Sequence, residues 1–465
     1  MNVVRDPSMR PVGELLRGPA LTCAPEATAA DAARAMTSAG RRYVLVPLGD
    51  GRLGIFTDGD LRRRVVAAGL STATPIAEVM TTLVQTATAD RLGADVLLDM
   101  LERGIRHLPI LSERGDVLGV VEDADLFATA TRSGFLLRGS ISRAADADEL
   151  VAATARIREL VVGLWRARVA ALDVSAITSV IMDAAITRAA FLLSDSRPES
   201  DSTWLSLGSI ARREAMPSSD VDSALIWADG NPERQARELG YGNRVHELLE
   251  RCGLPSDANG AVASSSRFAR SESDWLRGLD GWLADPYADQ GVVMVSLLAD
   301  SRVAFGVSGL ALSPAVFERL SPDALRLLLK EAVEGKARMH SLRERLTRRA
   351  NTVDIKAQGV MPIVNIARWA GLAAGCTDPS TAVRLRTAAG AGVLPNDDAA
   401  VLAESFDALA QIRLRHQCEQ IDRGETPTDV AQLDSLTPLH RSLLASAVRE
   451  IAGVQRKLAY AGPPT

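Results

Sequence analysis

The stretch that most constrains this chain runs from Trp204 to Trp227, WLSLGSIARREAMPSSDVDSALIW. Leu205 and Leu207 lead an apolar strand into Gly208 and Ser209. A polar connection follows, and Asp220 and Asp222 open a second strand through Ala224, Leu225 and Ile226. Strand side chains alternate between faces, so the two carboxylates point the same way. Left bare, they repel each other. A divalent cation relieves the conflict, and hard oxygen ligands suit Mg²⁺ or Mn²⁺. Gly208 lets the backbone approach a phosphate closely, and Ser209 adds a hydroxyl and an amide. The plainer alternative is an ordinary turn followed by a solvated strand end.

The longer pattern, GSxARxE followed by SSDxD, is carried here by Gly208, Ser209, Arg212, Glu214, Ser219, Asp220 and Asp222. It resembles the nucleotidyltransferase superfamily, and within it the branch related to bacterial protein-PII uridylyltransferases and glutamine-synthetase adenylyltransferases. The resemblance implies that Gly208 and Ser209 hold the triphosphate, and that Asp220 and Asp222 bind the metals. Arg212 neutralises phosphate charge, with a bridge to Glu214 as the competing role. Asp300 lies in GVVMVSLLADSRVAFG, which reads as a third strand. A lone buried carboxylate is costly, so it needs a metal or an arginine. The resemblance makes Asp300 the third metal ligand and the base toward the acceptor hydroxyl; an ion pair with Arg302 or other side chains is the alternative. DIKAQGVMPI, with Asp354 and Lys356, resembles a further segment of that branch. Lys356 reaches a phosphate or a surface carboxylate.

The first ~130 residues repeat internally, and internal repeats decide a fold before anything else. GRLGIFTDGDLRR at Gly51–Arg63 returns as GDVLGVVEDADLF at Gly115–Phe127. Each copy adds a helix and a short strand upstream, giving roughly βαββα, too small to close a core alone. This resembles a tandem of CBS domains, carried by Gly54, Thr57, Asp60 and Leu61, then by His107, Leu108, Pro109, Gly119, Asp125 and Leu126. The resemblance implies an adenine nucleotide (AMP, ADP or ATP) between the copies, with Thr57, Asp60 and Asp125 among its contacts. T-x-x-D is equally a helix-capping box. Glu122 stands where Thr57 stands and would repel a phosphate, so one good site, on Thr57 and Asp60, is expected.

Length, 465 residues, allows about three domains. The expected fold is α+β and multidomain. A tandem CBS pair spans residues 11–132, a nucleotidyltransferase-type mixed sheet with N-terminal helices 140–320, and an all-helical substrate-binding domain 321–462. The charge balance, 53 basic against 58 acidic residues, argues against a sequence-independent nucleic-acid binder. Arg343, Arg345, Arg348 and Arg349 cluster, and read as a solvated helix face. Four cysteines without a CxxC suggest neither a disulfide framework nor zinc, which fits a cytoplasmic protein. No signal-peptide core opens the chain, and Asp300 and Arg302 interrupt its most apolar run, so no membrane span is expected. Trp275 and Trp282 read as helix packing rather than base stacking. The expected activity is Mg²⁺- or Mn²⁺-dependent transfer from a nucleoside triphosphate to a protein acceptor. Adenine nucleotide would regulate it, and two copies would associate through the CBS pair. The alternative is a non-catalytic nucleotide-sensing scaffold in signal transduction.

Overall fold

The computed structural model describes residues 10–49, 51–126, 132–194, 202–230, 232–306, 320–335, 337 and 351–461. The Arg343–Arg349 cluster and most of the loop expected at 195–202 lie outside the described residues. Two compact units divide the chain, Met1–Phe135 and Leu136–Thr465.

In the first unit, helix α1 (Ala29–Ala39) begins at a reciprocal capping box between Thr28 and Asp31. Strands β1 (Tyr43–Pro47) and β2 (Leu53–Thr57) pair antiparallel, and β2 runs into α2 (Asp58–Asp60) and a π-type turn, Leu61–Val66. After the short α3 (Ile76–Val79), the pattern recurs as β3 (Ala87–Thr88), α4 (Gly93–Arg103), β4 (His107–Leu111), β5 (Val117–Glu122) and α5 (Asp123–Leu126). The pairing starts alike in both copies, Tyr43 facing Thr57 and His107 facing Glu122, but the second copy shifts register between Ile110 and Leu111. Strand β1 is buried on both sides. Val44 and Val46 pack with Met36 and Phe56 of their own copy, whereas Tyr43 and Leu45 pack with Val120 of the other. The two copies thus complete one another's core, as the size of each requires.

Helix α6 (Arg132–Arg143) runs across the division at Phe135, and the second unit continues with α7 (Ala147–Thr154), α8 (Ile157–Arg166) and α9 (Ala171–Leu192). Helix α9 is long and apolar enough to cross a membrane, yet 72% of its apolar window is buried among protein neighbours, as suits a core helix. Next come β6 (Ser202–Leu207), the single turn α10 (Gly208–Ala211), β7 (Ser223–Trp227), α11 (Pro232–Arg251), β8 (Ala269–Ser271), α12 (Glu272–Ala284), α13 (Gly291–Ala299) and β9 (Ser301–Phe305). The mixed sheet has the order β8-β7-β6-β9, with only β7 and β8 parallel. Its core joins Leu205, Leu207 and Ile226 to Trp275, Trp282, Met294 and Leu298. Trp275 donates to the Leu225 carbonyl at 3.0 Å and meets Trp282 edge-on, so this pair is packing.

One sequence expectation changes here. GVVMVSLLA is helix α13, and only Ser301–Phe305 is strand. A fully apolar run carries no period that separates a buried helix from a buried strand. Among the described residues, the rest of the unit is mainly helical, apart from β10 (Thr352–Asp354) paired with β11 (Val430–Gln432). Helix α14 (Pro322–Glu334) is followed by a π-type turn (Lys356–Val360), α15 (Met361–Ala373), α16 (Thr381–Gly390), α17 (Asn396–Asp422) and α18 (Pro438–Ala461). In α18, Leu444, Ile451, Val454 and Leu458 enter the core, while Leu439 and Leu443 stay exposed.

Candidate active site

Strand β6 ends at Leu207, whose amide donates to the Asp222 carbonyl at 3.0 Å. This bond holds the acidic lead-in of β7 against the Gly-Ser turn. Gly208 has φ +58, and a Cβ there would overlap the Asp222 carboxylate. Glycine is therefore required twice, by the left-handed backbone and by the close approach. Gly208→Ala is expected to cost about 1–2 kcal/mol and to push the Asp222 carboxylate out of place. Thermal denaturation beside a Mn²⁺-binding titration checks both. The Ser209 and Ser219 hydroxyls lie 3.4 Å apart, and Ser219 also accepts from the Met216 amide.

Val221 forms a parallel bridge with Ser256, its amide donating to the Pro255 carbonyl at 2.7 Å. That register sets Asp257 beside Asp222. One carboxylate oxygen from each of Asp220, Asp222 and Asp257 lies within 4.8 Å of the others. Burial, then the charges of Asp220 and Asp257, push the Asp222 carboxyl up to about 7 against the opposing pull of Lys356 and Arg212. An all-carboxylate set under mutual repulsion, beside a glycine-lined cradle, is the donor chemistry Mg²⁺ or Mn²⁺ takes. His246 braces the arrangement: one ring nitrogen meets Ser223 Oγ at 2.9 Å, the other Ser256 Oγ at 3.0 Å. Burial holds its pKa down to about 4, so at neutral pH one nitrogen donates and the other accepts.

Asp300 does not join this group. It caps α13 immediately before β9, whose first residue, Ser301, pairs with Leu207, and it has no exposed surface. Three arginines take its oxygens: Arg212 at 2.6 Å, Arg368 at 2.6 Å and Arg384 at 2.5 Å. Burial alone would raise its pKa, but the Arg368, Arg384 and Arg212 guanidiniums hold it far below the usual carboxylate range. Neither the metal-ligand role nor the base role expected of Asp300 fits a carboxylate so occupied. Nor is Arg302 its partner, since the Arg302 guanidinium donates to the Ala211 carbonyl.

Arg212 is a strut in the same network. Its Nε donates to Glu214 at 2.7 Å and Glu214 accepts from the Thr381 amide at 2.9 Å, so the competing role holds and a free phosphate clamp does not. Lys356 stays available: it is half-buried and lines a recess with Ser209, Arg212, Met361, Phe406 and Arg413. Asp354 accepts from the Ala357 amide and fixes the turn that carries Lys356. Gln417 on α17 accepts from the Ser218 amide and donates to its hydroxyl, joining the acidic loop to the helical region. Sequence reasoning missed Asp257, His246 and the two hub arginines of the helical region. The residues around Asp257, SDANG, signal only a turn.

In the first unit, Thr57 and Asp60 form the reciprocal capping box, with Thr57 Oγ1 donating to Asp60 Oδ2 at 2.7 Å. Arg64 lies 3.4 Å from the other Asp60 oxygen. In the second copy Asp125 accepts from the Glu122 amide at 2.9 Å and pairs with Arg17. Glu122 lies 3.7 Å from Arg41 and 3.9 Å from His107. Burial, then Asp125, raises the Glu122 pKa. The His107 ring packs 5.5 Å from that of Tyr43, its counterpart in the first copy.

Comparison with known families agrees with this division. Residues 12–67 and 76–130 each match the CBS domain. Residues 155–289 match "Putative nucleotidyltransferase DUF294", and residues 322–461 match "Putative nucleotidyltransferase substrate binding domain". Along the chain, segments that match a CBS pair are followed by segments that match "Putative nucleotidyltransferase DUF294" and its "substrate binding domain". Among curated relatives, the meiotically up-regulated gene 70 protein of Schizosaccharomyces pombe is 36% identical over 114 residues, 22% of this chain and 16% of that one. An uncharacterized protein of Methanopyrus kandleri is 33% identical over 117 residues, 25% of this chain and 60% of its own length. The chain therefore spans less than two thirds of either relative. A solved "putative signal-transduction protein with CBS domains" from Burkholderia ambifaria is 30% identical, with TM-score 0.24, covering 25% of this chain and 89% of that one. A conserved protein from Pyrococcus horikoshii is 29% identical, with TM-score 0.24, covering 26% and 90%.

Proposed function

We propose that this chain is a metal-dependent nucleotidyltransferase of the protein-PII-uridylyltransferase-like kind. It moves a nucleoside monophosphate from a nucleoside triphosphate to a protein acceptor. The observation that carries this reading is the junction of the Gly208-Ser209 turn with Asp222, where a phosphate-binding backbone and a carboxylate pair meet with no room for a Cβ. Asp220 and Asp222 would hold Mg²⁺ or Mn²⁺. When bound, the cation supplies Lewis-acid stabilisation of charge on the reacting phosphate and on departing pyrophosphate. Ser209 and the turn amides bind the phosphate tail, and Lys356 adds the cation that Arg212, engaged elsewhere, does not. The acceptor hydroxyl oxygen joins the α-phosphorus as its proton passes to water, and the bond from the α-phosphorus to pyrophosphate breaks as pyrophosphate leaves. Pyrophosphate release that requires a divalent cation and an acceptor tests the reading; no release from any of the common triphosphates would contradict it.

Adenine nucleotide at the Thr57–Asp60 end of the CBS pair is the proposed regulator, and association of two copies through that pair, in the cytoplasm, completes the proposal. Asp60→Ala should weaken AMP, ADP or ATP binding to the full chain about tenfold, the loss of one charged hydrogen-bonding group. Calorimetry checks this, and unchanged affinity would leave Asp60 a capping residue only. One observation favours a second reading, a nucleotide-sensing scaffold without transfer: the carboxylate expected to complete the metal site, Asp300, is held by arginines. The pyrophosphate assay separates the two.

A further inference from the structure

Asp257 and Asp300 have fates opposite to what their sequence settings suggest. We infer that Asp257 is the third carboxylate of the metal site, in the role the sequence pattern gives to Asp300. This rests on the proposed reading of that site as a nucleotidyltransferase centre.

The parallel bridge between Val221 and Ser256 carries the argument first. Residues that follow a parallel pair leave adjacent strands at the same level, so Asp222 and Asp257 emerge side by side. Their oxygens and one from Asp220 share a space 4.8 Å across. The Asp257 side chain is 9% exposed and fixed in direction. Its Oδ2 accepts from the Ala261 amide at 2.9 Å, and its Oδ1 from Asn259 Nδ2 at 3.1 Å. A carboxylate oxygen has two acceptor sites, so each retains one for a cation. Hydrogen bonds to a ligating carboxylate are what orient it toward a metal. The His246 brace between Ser223 and Ser256 holds the two strand segments in register from behind. The missing Cβ of Gly208 leaves the opposite wall open beside Asp222.

Asp300 is excluded by the same kind of accounting. Its Oδ2 receives Arg212 and both Nε and Nη2 of Arg368, and its Oδ1 receives Arg384. A cation approaching it would meet three guanidiniums. In the first unit, Asp60, Asp125 and Glu122 are each engaged with arginines of their own unit.

Mn²⁺ binding to the full-length protein, followed by electron paramagnetic resonance without any nucleotide, tests the assignment. Asp257→Asn should raise the Mn²⁺ Kd about tenfold or more, with the melting temperature of metal-free protein retained. Asp300→Asn should leave the Kd of the folded protein unchanged while lowering the melting temperature. If Asp300→Asn does not fold, Arg384→Lys disturbs the same hub while keeping the charge and takes its place. An Asp257→Asn protein that binds Mn²⁺ like the parent overturns the inference, as does loss of binding in folded Asp300→Asn or Arg384→Lys. A parent protein that binds no Mn²⁺ overturns the metal reading of the whole site, a distinct result.

Discussion

Asp300→Ala should destabilise the second unit by about 3–5 kcal/mol, the usual cost of removing one partner from a buried ion pair. The hub it anchors has no solvent to fall back on: Arg212, Arg368 and Arg384 are 6%, 6% and 1% exposed. Each guanidinium has secondary partners. Arg384 donates to the Ala299 and Asp378 carbonyls, Arg368 to Asn365, and Arg212 to Glu214. Without Asp300, Glu214 is, among the described residues, the one carboxylate left paired with a guanidinium of this hub. The carboxylate's depressed pKa gives the pH dependence. Its contribution is fully present above the unfolded pKa of about 4 and is lost as pH falls below it, so the variant should also show a shallower acid limb. Arg384→Met in the Asp300→Ala background should recover part of the loss by removing one stranded charge. Denaturant titration measures all three proteins, and a loss below about 1 kcal/mol, the scale of an exposed pair, would show that the hub is not what joins the sheet to the helical region.

Asp222→Asn should reduce transfer at least about a thousandfold, because it removes the charge that a metal-assisted displacement depends on. The fold should survive. The bond from the Leu207 amide goes to the Asp222 backbone carbonyl, which asparagine keeps. Metal-free protein should even gain stability above pH 7, since burial and the charges of Asp220 and Asp257 disfavour the ionised Asp222 carboxyl. The sign follows from its raised pKa: the ionised form costs stability, and that cost grows as pH rises from the unfolded pKa toward about 7. Asp220→Asn should likewise lose transfer. Steady-state rates and melting temperatures at pH 6 and pH 8 check both. Near-parental activity in either variant would end the assignment.

These contrasts show where the sequence is legible. The Gly-Ser turn and the Asp220–Asp222 pair are local, and their spacing alone sets two strands and the turn between them. The CBS pair is legible for the same reason, since T-x-x-D at Thr57–Asp60 is a cap whether or not a ligand binds. Asp257 could not be read this way. Its place depends on a parallel bridge to Val221 across the whole of α11, and nothing in SDANG specifies that pairing. Asp300 was legible as a carboxylate in need of a partner, but its partners come from α10's flank, α15 and α16, far apart in the chain. The apolar run before it had no period, so helix α13 read as strand. In α18 the core face passes through Leu444, Ile451 and Leu458, while Leu439 and Leu443, at compatible helical spacing, stay exposed.

The central claim is transfer of a nucleoside monophosphate at the Asp220–Asp222 site. The most direct measurement incubates the purified protein with Mg²⁺, a cell lysate and each nucleoside triphosphate in turn, labelled at the α- or the γ-phosphate. The account predicts a protein band labelled from one α-labelled triphosphate, unlabelled by its γ-labelled form, and absent with Asp222→Asn. Label arriving from the γ-phosphate, or no labelled protein from any α-labelled triphosphate, would contradict it.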